Sequence, residues 1–182
     1  PVKVYPAPTR LTLNTADSRK TFGVGETLQL CFETDSPVAG VTYKLSNRRA
    51  AALSADGTLT LKRTGKLTVT ATTYNGISAK LTITIKRAPK SVSLKVSHNM
   101  LGVGQSAKLT GALSKGAAGG YELTVIGDAV RLEGDRIVAV APGTVKITVR
   151  TFNGKTNTQT LTVRPAPESV SFDRDSLTLG AG

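Results

Sequence analysis

Hydrophobic and polar residues alternate one by one through most of this chain. Leu11 and Leu13, for example, alternate with Thr12 and Asn14. Because successive side chains of a strand point to opposite faces, this pattern predicts strands with one buried face. No segment combines helical periodicity with capping residues, so we predict an all-β protein. The alternating runs are found at residues 28–32, 41–45, 51–53, 58–61, 66–74 and 77–85, and again at 92–94, 107–109, 121–125, 130–132, 137–140, 145–152 and 155–163.

The runs are organised as a repeat. The segment RAPKSVSLKVSHNMLGVGQ at residues 87–105 has a counterpart early in the chain and another near its end. Tyr74-Asn75-Gly76 returns 78 residues later as Phe152-Asn153-Gly154. A period of this length is a small domain and not the short unit of a solenoid. We therefore predict residues 1–5 as the end of a preceding repeat, 6–86 and 87–164 as two domains joined by a stiff linker at Lys86–Lys90, and 165–182 as the truncated start of a further repeat.

Turn signals separate the predicted strands at regular intervals. Asn75-Gly76 and Asn153-Gly154 each lie between two alternating runs and predict hairpins with type I′ turns, in which both central residues have positive φ. Asp56-Gly57 and Gly134-Asp135 predict further turns. Seven or eight short strands per repeat, with turns at regular intervals, predict a β-sandwich.

Several short motifs follow one another in a fixed order: S-V-x-L, L-x-V-G-x-[TS], V-T-Y-x-L-S-N, D-G-x-L-T, G-x-x-T-V-T-A-T and Y-N-G. In this order the chain resembles the bacterial immunoglobulin-like domain of group 2, over both full repeats and the start of a third. That family occurs as tandem modules in intimin- and invasin-like adhesins, other bacterial surface proteins and phage structural proteins. The resemblance implies tandem Ig-like sandwiches that form a non-catalytic spacer or adhesion module of a bacterial surface or secreted protein.

The chain is strongly basic, with a net charge of +12. Residues 1–86 hold 12 basic and 5 acidic side chains, 87–164 hold 11 and 4, and 165–182 hold 1 and 3. Such an excess favours anionic neighbours. The basic residues are scattered and not interleaved with exposed aromatic residues, which argues against nucleic acid as a partner. Two interpretations stay open: a soluble, self-repelling surface, or binding of anionic glycan or cell-wall polymer.

Candidate chemistry is sparse. Cys31 is the single cysteine, so no intramolecular disulfide is possible, and the single histidine, His98, belongs to the other repeat. Neither a nucleophile with its base nor a metal-binding spacing is present. Gly23-Val24-Gly25 and Gly102-Val103-Gly104 lack the Lys-Ser/Thr and the helix of a phosphate loop, and we interpret them as bends between strands. The sequence therefore predicts no enzyme, no cofactor and no bound metal.

The expected location is the bacterial cell surface or the extracellular space. No apolar segment is long enough to cross a bilayer, and the chain opens with Pro-Val-Lys-Val instead of a signal peptide, so we expect targeting signals outside these residues. The expected partners are neighbouring Ig-like repeats, with a surface glycan or a protein receptor as a further candidate.

Strand direction also predicts a charge cluster near the linker. If the chain alternates between the two ends of each sandwich, basic loops of the first repeat and acidic turns of the second repeat face the linker from its two sides. We hypothesise that these charges bias the angle between the two repeats. The alternative is that both groups stay solvated. The residues are Arg48, Arg49, Lys62 and Arg63 on the basic side, and Glu133 and Asp135 on the acidic side.

Overall fold

A computed structural model describes residues 3–169, which form sixteen β-strands and no helix. This confirms the all-β prediction. The first repeat contains β1 (Leu11–Thr15), β2 (Thr21–Gly23), β3 (Thr27–Thr34), β4 (Thr42–Leu45), β5 (Ala51–Leu53), β6 (Thr58–Leu61), β7 (Gly65–Thr72) and β8 (Ser78–Lys86). The second repeat contains β9 (Val92–Val96), β10 (Met100–Gly102), β11 (Ser106–Leu113), β12 (Tyr121–Ile126), β13 (Val130–Glu133), β14 (Arg136–Ala139), β15 (Gly143–Thr151) and β16 (Thr156–Arg164).

Strand order identifies the fold of the first repeat. One sheet has the order β1-β3-β6-β5 and the other β2-β8-β7-β4. If β1 and β2 are the two halves of strand A, these are the A-B-E-D and A′-G-F-C sheets of the immunoglobulin fold. The second repeat has the same two sheets, β13-β14-β11-β9 and β10-β16-β15-β12. The predicted Ig-like sandwiches are therefore confirmed.

The alternating apolar residues fill the space between the sheets. In the first repeat Phe22, Leu59, Leu67, Val69 and Ile83 are each 0% exposed. Complete burial of such a side chain contributes about 1.5–3 kcal/mol. The corresponding positions of the second repeat are buried by Leu101, Ile137, Val145, Ile147 and Leu161.

Two local predictions were wrong in detail. The predicted bends at Gly-Val-Gly exist as turns, but each follows a short extra strand. Because β2 pairs in parallel with β8, and β10 with β16, the assumed strict alternation between antiparallel strands was wrong. The hairpins exist, but Asn75 is not among the described residues with positive φ, so its turn is not type I′. Thr73 N donates to Ile77 O, Gly76 N donates to Thr73 O, and Gly76 has φ 92°. This is a three-residue loop in which a type I turn is followed by a left-handed glycine.

The described chain also divides into two compact units whose limits differ from those of the repeat. The first unit holds residues 3–95 with Gly111–Thr124 and Thr148–Thr158. The second holds Val96–Thr110, Val125–Ile147 and residues 159–169. The domain limits at 6–86 and 87–164 stay predictions. Residues 3–5 and 165–169 are in no strand, and the rest of the two predicted partial repeats lies outside the described residues.

Candidate functional site: the Glu26 cluster

Among the described residues, Glu26 is the charged residue whose side chain is buried, with only 4% exposed. It ends the turn Gly23–Glu26, in which Glu26 N donates to Gly23 O at 3.1 Å and Gly25 has φ 88°. A positive φ at the third residue is the mark of a type II turn and favours glycine there. The side chain then folds back, and its Oε2 accepts a hydrogen bond from Gly23 N at 2.8 Å. The second glycine of the motif thus directs the carboxylate inward.

The other carboxylate oxygen has two partners. Glu26 Oε1 accepts hydrogen bonds from Arg19 Nη2 at 2.6 Å and from Gly120 N at 2.8 Å. Gly120 lies 94 residues along the chain, in the second repeat but in the same compact unit. A buried carboxylate is tolerated only where donors replace its lost hydration. Here one cation and two backbone amides do so.

Arg19 is positioned by its own neighbours. Asp17 Oδ1 accepts a hydrogen bond from Arg19 N at 3.1 Å across a tight turn in which Ser18 has φ 58°. The Arg19 guanidinium also contacts the Asp17 carboxylate and lies 4.6 Å from the centre of the Phe22 ring. Burial lowers the pKa of Arg19, but the hydrogen bonds and negative charges of Glu26 and Asp17 outweigh it, so that pKa is raised. The guanidinium is therefore a permanent cation beside Glu26.

Residues of the second repeat complete the Glu26 cluster. Ala117 forms an isolated parallel bridge with Arg87, and Ala118 N donates to Arg87 O at 3.1 Å. Phe152 N donates to Gly120 O at 3.0 Å, which fixes the aromatic ring beside the loop 117–120. We define the Glu26 cluster as Asp17, Arg19, Phe22, Gly23 and Glu26 of the first repeat with the loop 117–120 and Phe152 of the second.

Two glycines make room for the Phe152 ring. A Cβ atom at Gly23 would lie 2.9 Å from that ring and would collide with Ala118 O. A Cβ atom at Gly119 would also collide with the ring. Real Cβ atoms do not approach other atoms so closely, so both positions require glycine while Phe152 is in place. The contact is tight and specific to these residues.

Each repeat also has a side-chain clasp at its hairpin. Asn75 Nδ2 donates to Pro8 O, and Asn153 Nδ2 donates to Pro89 O, both at 2.8 Å. The sequence predicted these asparagines only as turn formers. Their position in the turn leaves the amide free to bind the carbonyl of the segment that enters the repeat. The hairpin and the entering segment are thereby joined in both repeats.

The predicted charge cluster consists of a basic group in the first repeat and an acidic group in the second. Lys62 N and Arg63 N both donate to Ala50 O, so the loops that carry the basic residues meet. Arg48, Arg49, Lys62 and Arg63 are all exposed. On the acidic side, Glu133 pairs with Arg131 at 2.8 Å and Asp135 with Lys108 at 3.4 Å, each within the second repeat. Asp135 O accepts from Leu109 N, midway along β11. Pairing between the basic and acidic groups stays a prediction.

Little else offers chemistry. Cys31 is exposed, and the exposed His98 ring contacts Ser97 Oγ at 3.2 Å. Within the described residues, no three His, Cys, Asp or Glu side chains are grouped as a metal site would need. Over the same range no helix could cross a membrane. All described lysines and arginines other than Arg19 are exposed, and they are spread over both repeats.

Comparison with known proteins finds distant structural likenesses only. No family model and no curated protein matches the chain. Among solved structures, the S-layer protein SbsC is 16% identical, with a TM-score of 0.40, over 90% of this chain and 28% of its own. Intimin of EHEC O157:H7 is 16% identical, with a TM-score of 0.34, over 52% of each chain. The Yersinia pseudotuberculosis adhesin InvE is 12% identical, with a TM-score of 0.36, over 84% of this chain and 58% of its own. This chain thus spans less than a third of the length of the SbsC structure.

The Glu26 cluster was missed by sequence reasoning. The Gly-Val-Gly motif was interpreted as a bend, and the acid that follows it was not singled out. A signal existed for the turn alone, because the second repeat has Gln105 where the first has Glu26. Gln105 Oε1 accepts from Gly102 N at 2.8 Å, as Glu26 does from Gly23 N. The pairing with Gly120 has no local signal.

Proposed function

We propose that this chain is a non-catalytic spacer of tandem Ig-like repeats, in a bacterial surface or secreted protein, which holds another part of that protein at a distance. The order of short motifs supports a place in the group 2 bacterial immunoglobulin-like family. The structural observation that carries the proposal is the Glu26 cluster. It unites residues of two successive repeats within one compact unit, through a buried charge and a packed ring. A spacer requires such continuity from one repeat to the next.

The test is a replacement in the protein that contains these residues. One variant deletes residues 6–164, and a second replaces them with two unrelated β-sandwich domains of equal length. A spacer predicts that the replacement restores surface binding by the parent protein and that the deletion does not. Equal loss of binding in both variants would show that these residues carry the binding themselves.

The second candidate is binding of anionic glycan or wall polymer. It is favoured by one observation, the exposure of all described lysines and arginines except Arg19. Exposed charges attract polyanions through a field that salt screens, with a Debye length of about 10 Å at 0.1 M. Retention on heparin and on wall polymer at rising salt tests it. Elution together with an unrelated protein of equal charge would leave only a non-specific attraction.

A further inference from the structure

The second repeat carries a groove at the position where the first repeat holds the Glu26 cluster. The groove has a volume of about 340 Å³. We propose that it binds the next Ig-like repeat of the array, by accepting the glycine loop and aromatic ring that correspond to residues 117–120 and Phe152. This proposal requires that the repeats occur in tandem, but it does not depend on a role at the bacterial surface. The groove is lined by His98, Met100, Leu101, Gly104, Gln105 and Ser106.

The correspondence between the two places is residue by residue. Counted from the shared Gly-Val-Gly motif, His98, Gly104 and Gln105 correspond to Arg19, Gly25 and Glu26. In the first repeat these three positions contact the second repeat. Glu26 binds Gly120 N, Arg19 lies against Gly120, and Gly25 faces the Phe152 ring at 3.9 Å from a built Cβ atom. Three of the six residues that line the groove therefore occupy positions that make the contact in the first repeat.

The space around the glycines shows that the Glu26 cluster is covered by other residues, whereas the groove of the second repeat is open. A Cβ atom at Gly23 would collide with Ala118 and Phe152 of the second repeat. A Cβ atom at the corresponding Gly102 would meet only Gln105, at 3.6 Å, among the described residues. Gly104 has no described atom within 4 Å of such a Cβ atom. The second repeat thus keeps glycines, and the space above them, at positions where its own fold does not fill that space.

In each repeat the last strand ends beside the Gly-Val-Gly motif, so the chain leaves the first repeat next to the Glu26 cluster and the second repeat next to the groove. Val24 N donates to Lys86 O at 2.9 Å, just before the linker that leads into the second repeat. Val103 N donates to Arg164 O at 3.0 Å in the same way. The residues after Arg164 repeat the linker sequence as Pro-Ala-Pro-Glu-Ser-Val-Ser. A following repeat would therefore start from the same point relative to the groove.

The chemistry of the two places differs at two positions, because His98 replaces Arg19 and Gln105 replaces Glu26. Gln105 has a single acceptor oxygen, which Gly102 N already uses at 2.8 Å, and its other terminal atom is a donor. It therefore cannot accept a backbone N–H of the next repeat as strongly as Glu26 Oε1 does. We infer a contact without a buried carboxylate, dominated by the aromatic ring above Gly102. Glu26 and Gln105 would then distinguish a firmly held repeat from a more loosely held one.

A tryptophan reporter tests this inference, because the chain contains no tryptophan. The full chain is extended after Gly182 with a second copy of residues 105–164, which completes a third repeat. Phe152→Trp is made only in the added copy. We expect blue-shifted emission and weak acrylamide quenching, as for Phe152→Trp in the original 182-residue chain. Gly102→Ala should shift the reporter to red, solvent-exposed emission, whereas Gly23→Ala should leave it unchanged.

Two controls make the outcome decisive. Gly102→Ala in the 182-residue chain should leave the circular dichroism spectrum and the melting temperature unchanged, because Gly102 has room in this chain. If it unfolds the second repeat, Met100→Glu replaces it, since Met100 is half exposed and lines the groove. A reporter that is exposed in the extended chain, or one that stays shielded in these variants, would overturn the proposal. A third repeat that stays unfolded would count against it as well.

Discussion

Glu26→Gln is the most informative single change, because Gln105 shows what glutamine does in the same turn. Gln105 still closes the turn through its Oε1 and Gly102 N. Glutamine at position 26 can therefore keep the bond to Gly23 N. Its second terminal atom becomes an NH₂ group, which faces two other donors, Arg19 Nη2 and Gly120 N. The substitution thus removes the partners of these two donors and leaves the turn intact.

The magnitude follows from burial. Hydrogen bonds to charged groups contribute about 1.5–3 kcal/mol each, and an unsatisfied buried donor costs about 1–3 kcal/mol. Arg19 is 37% exposed and can be rehydrated, so its share is discounted. The buried hydrogen bond from Gly120 N to Glu26 makes the larger contribution. We expect its loss to lower the free energy that protects the Gly120 amide from hydrogen exchange by about 2 kcal/mol. That corresponds to about 30-fold faster hydrogen exchange at Gly120.

The assay is amide hydrogen exchange followed by NMR, with Gly120 as the reporter and Ile83, in the core of the first repeat, as a reference. The matched control is Gln105→Glu, which adds a charge at the corresponding turn without an Arg19 beside it. Faster exchange at Gly120 and Phe152, with little change at Ile83, is the expected result. Unchanged exchange at Gly120 in Glu26→Gln would refute the role assigned to the Oε1 atom.

Three further changes test other parts of the structure. Gly23→Ala should lower the free energy of unfolding by about 1–3 kcal/mol through overpacking, while Gly102→Ala should not; equal denaturation midpoints would contradict this. Asn75→Asp keeps the shape but loses the donor to the entering segment, which should cost about 1 kcal/mol by urea denaturation; a wild-type midpoint would argue against the clasp. Hydrogen bonds from neighbouring side chains and amides lower the pKa of Asp35 and of Asp56 from 3.8 to about 2. A lowered pKa stabilises the fold above about pH 4, and this stabilisation is lost as the pH falls towards 2. The melting temperature should therefore fall between about pH 4 and about pH 2. It should fall less steeply in an Asp35→Asn, Asp56→Asn double variant.

The strands and the core were predictable because their causes are local. Single alternation of apolar residues requires one buried face, and β5 and β6 have the limits that the pattern predicted on either side of Asp56-Gly57. The core residues Leu59, Leu67 and Ile83 are members of the same alternating runs. Such a period specifies which face is buried without knowledge of any partner strand. The fold class then followed from the number and spacing of the strands.

The hairpin type was wrong because Asn-Gly is compatible with more than one turn. The Thr73 hydroxyl bonds Asn75 Oδ1 at 2.7 Å and Ile77 O at 3.2 Å, and it accepts from Ile77 N at 3.0 Å. These bonds favour a longer loop, in which only Gly76 needs a positive φ. The threonine two residues before the asparagine is the local signal that could have indicated it. Thr151 makes the same bonds to Asn153 and Lys155 in the second repeat.

The Glu26 cluster was not predictable, and the reason indicates what Glu26 does. Its turn does not need a charge, since Gln105 closes the corresponding turn with a neutral amide. A buried ion pair is also weak evidence for stability, because desolvation offsets much of its attraction. What the carboxylate adds is a second acceptor oxygen, and that oxygen binds Arg19 and a backbone amide 94 residues away. Hence Glu26 selects which loop lies above Gly23 more than it stabilises the first repeat, and this choice depends on a contact that no local pattern encodes.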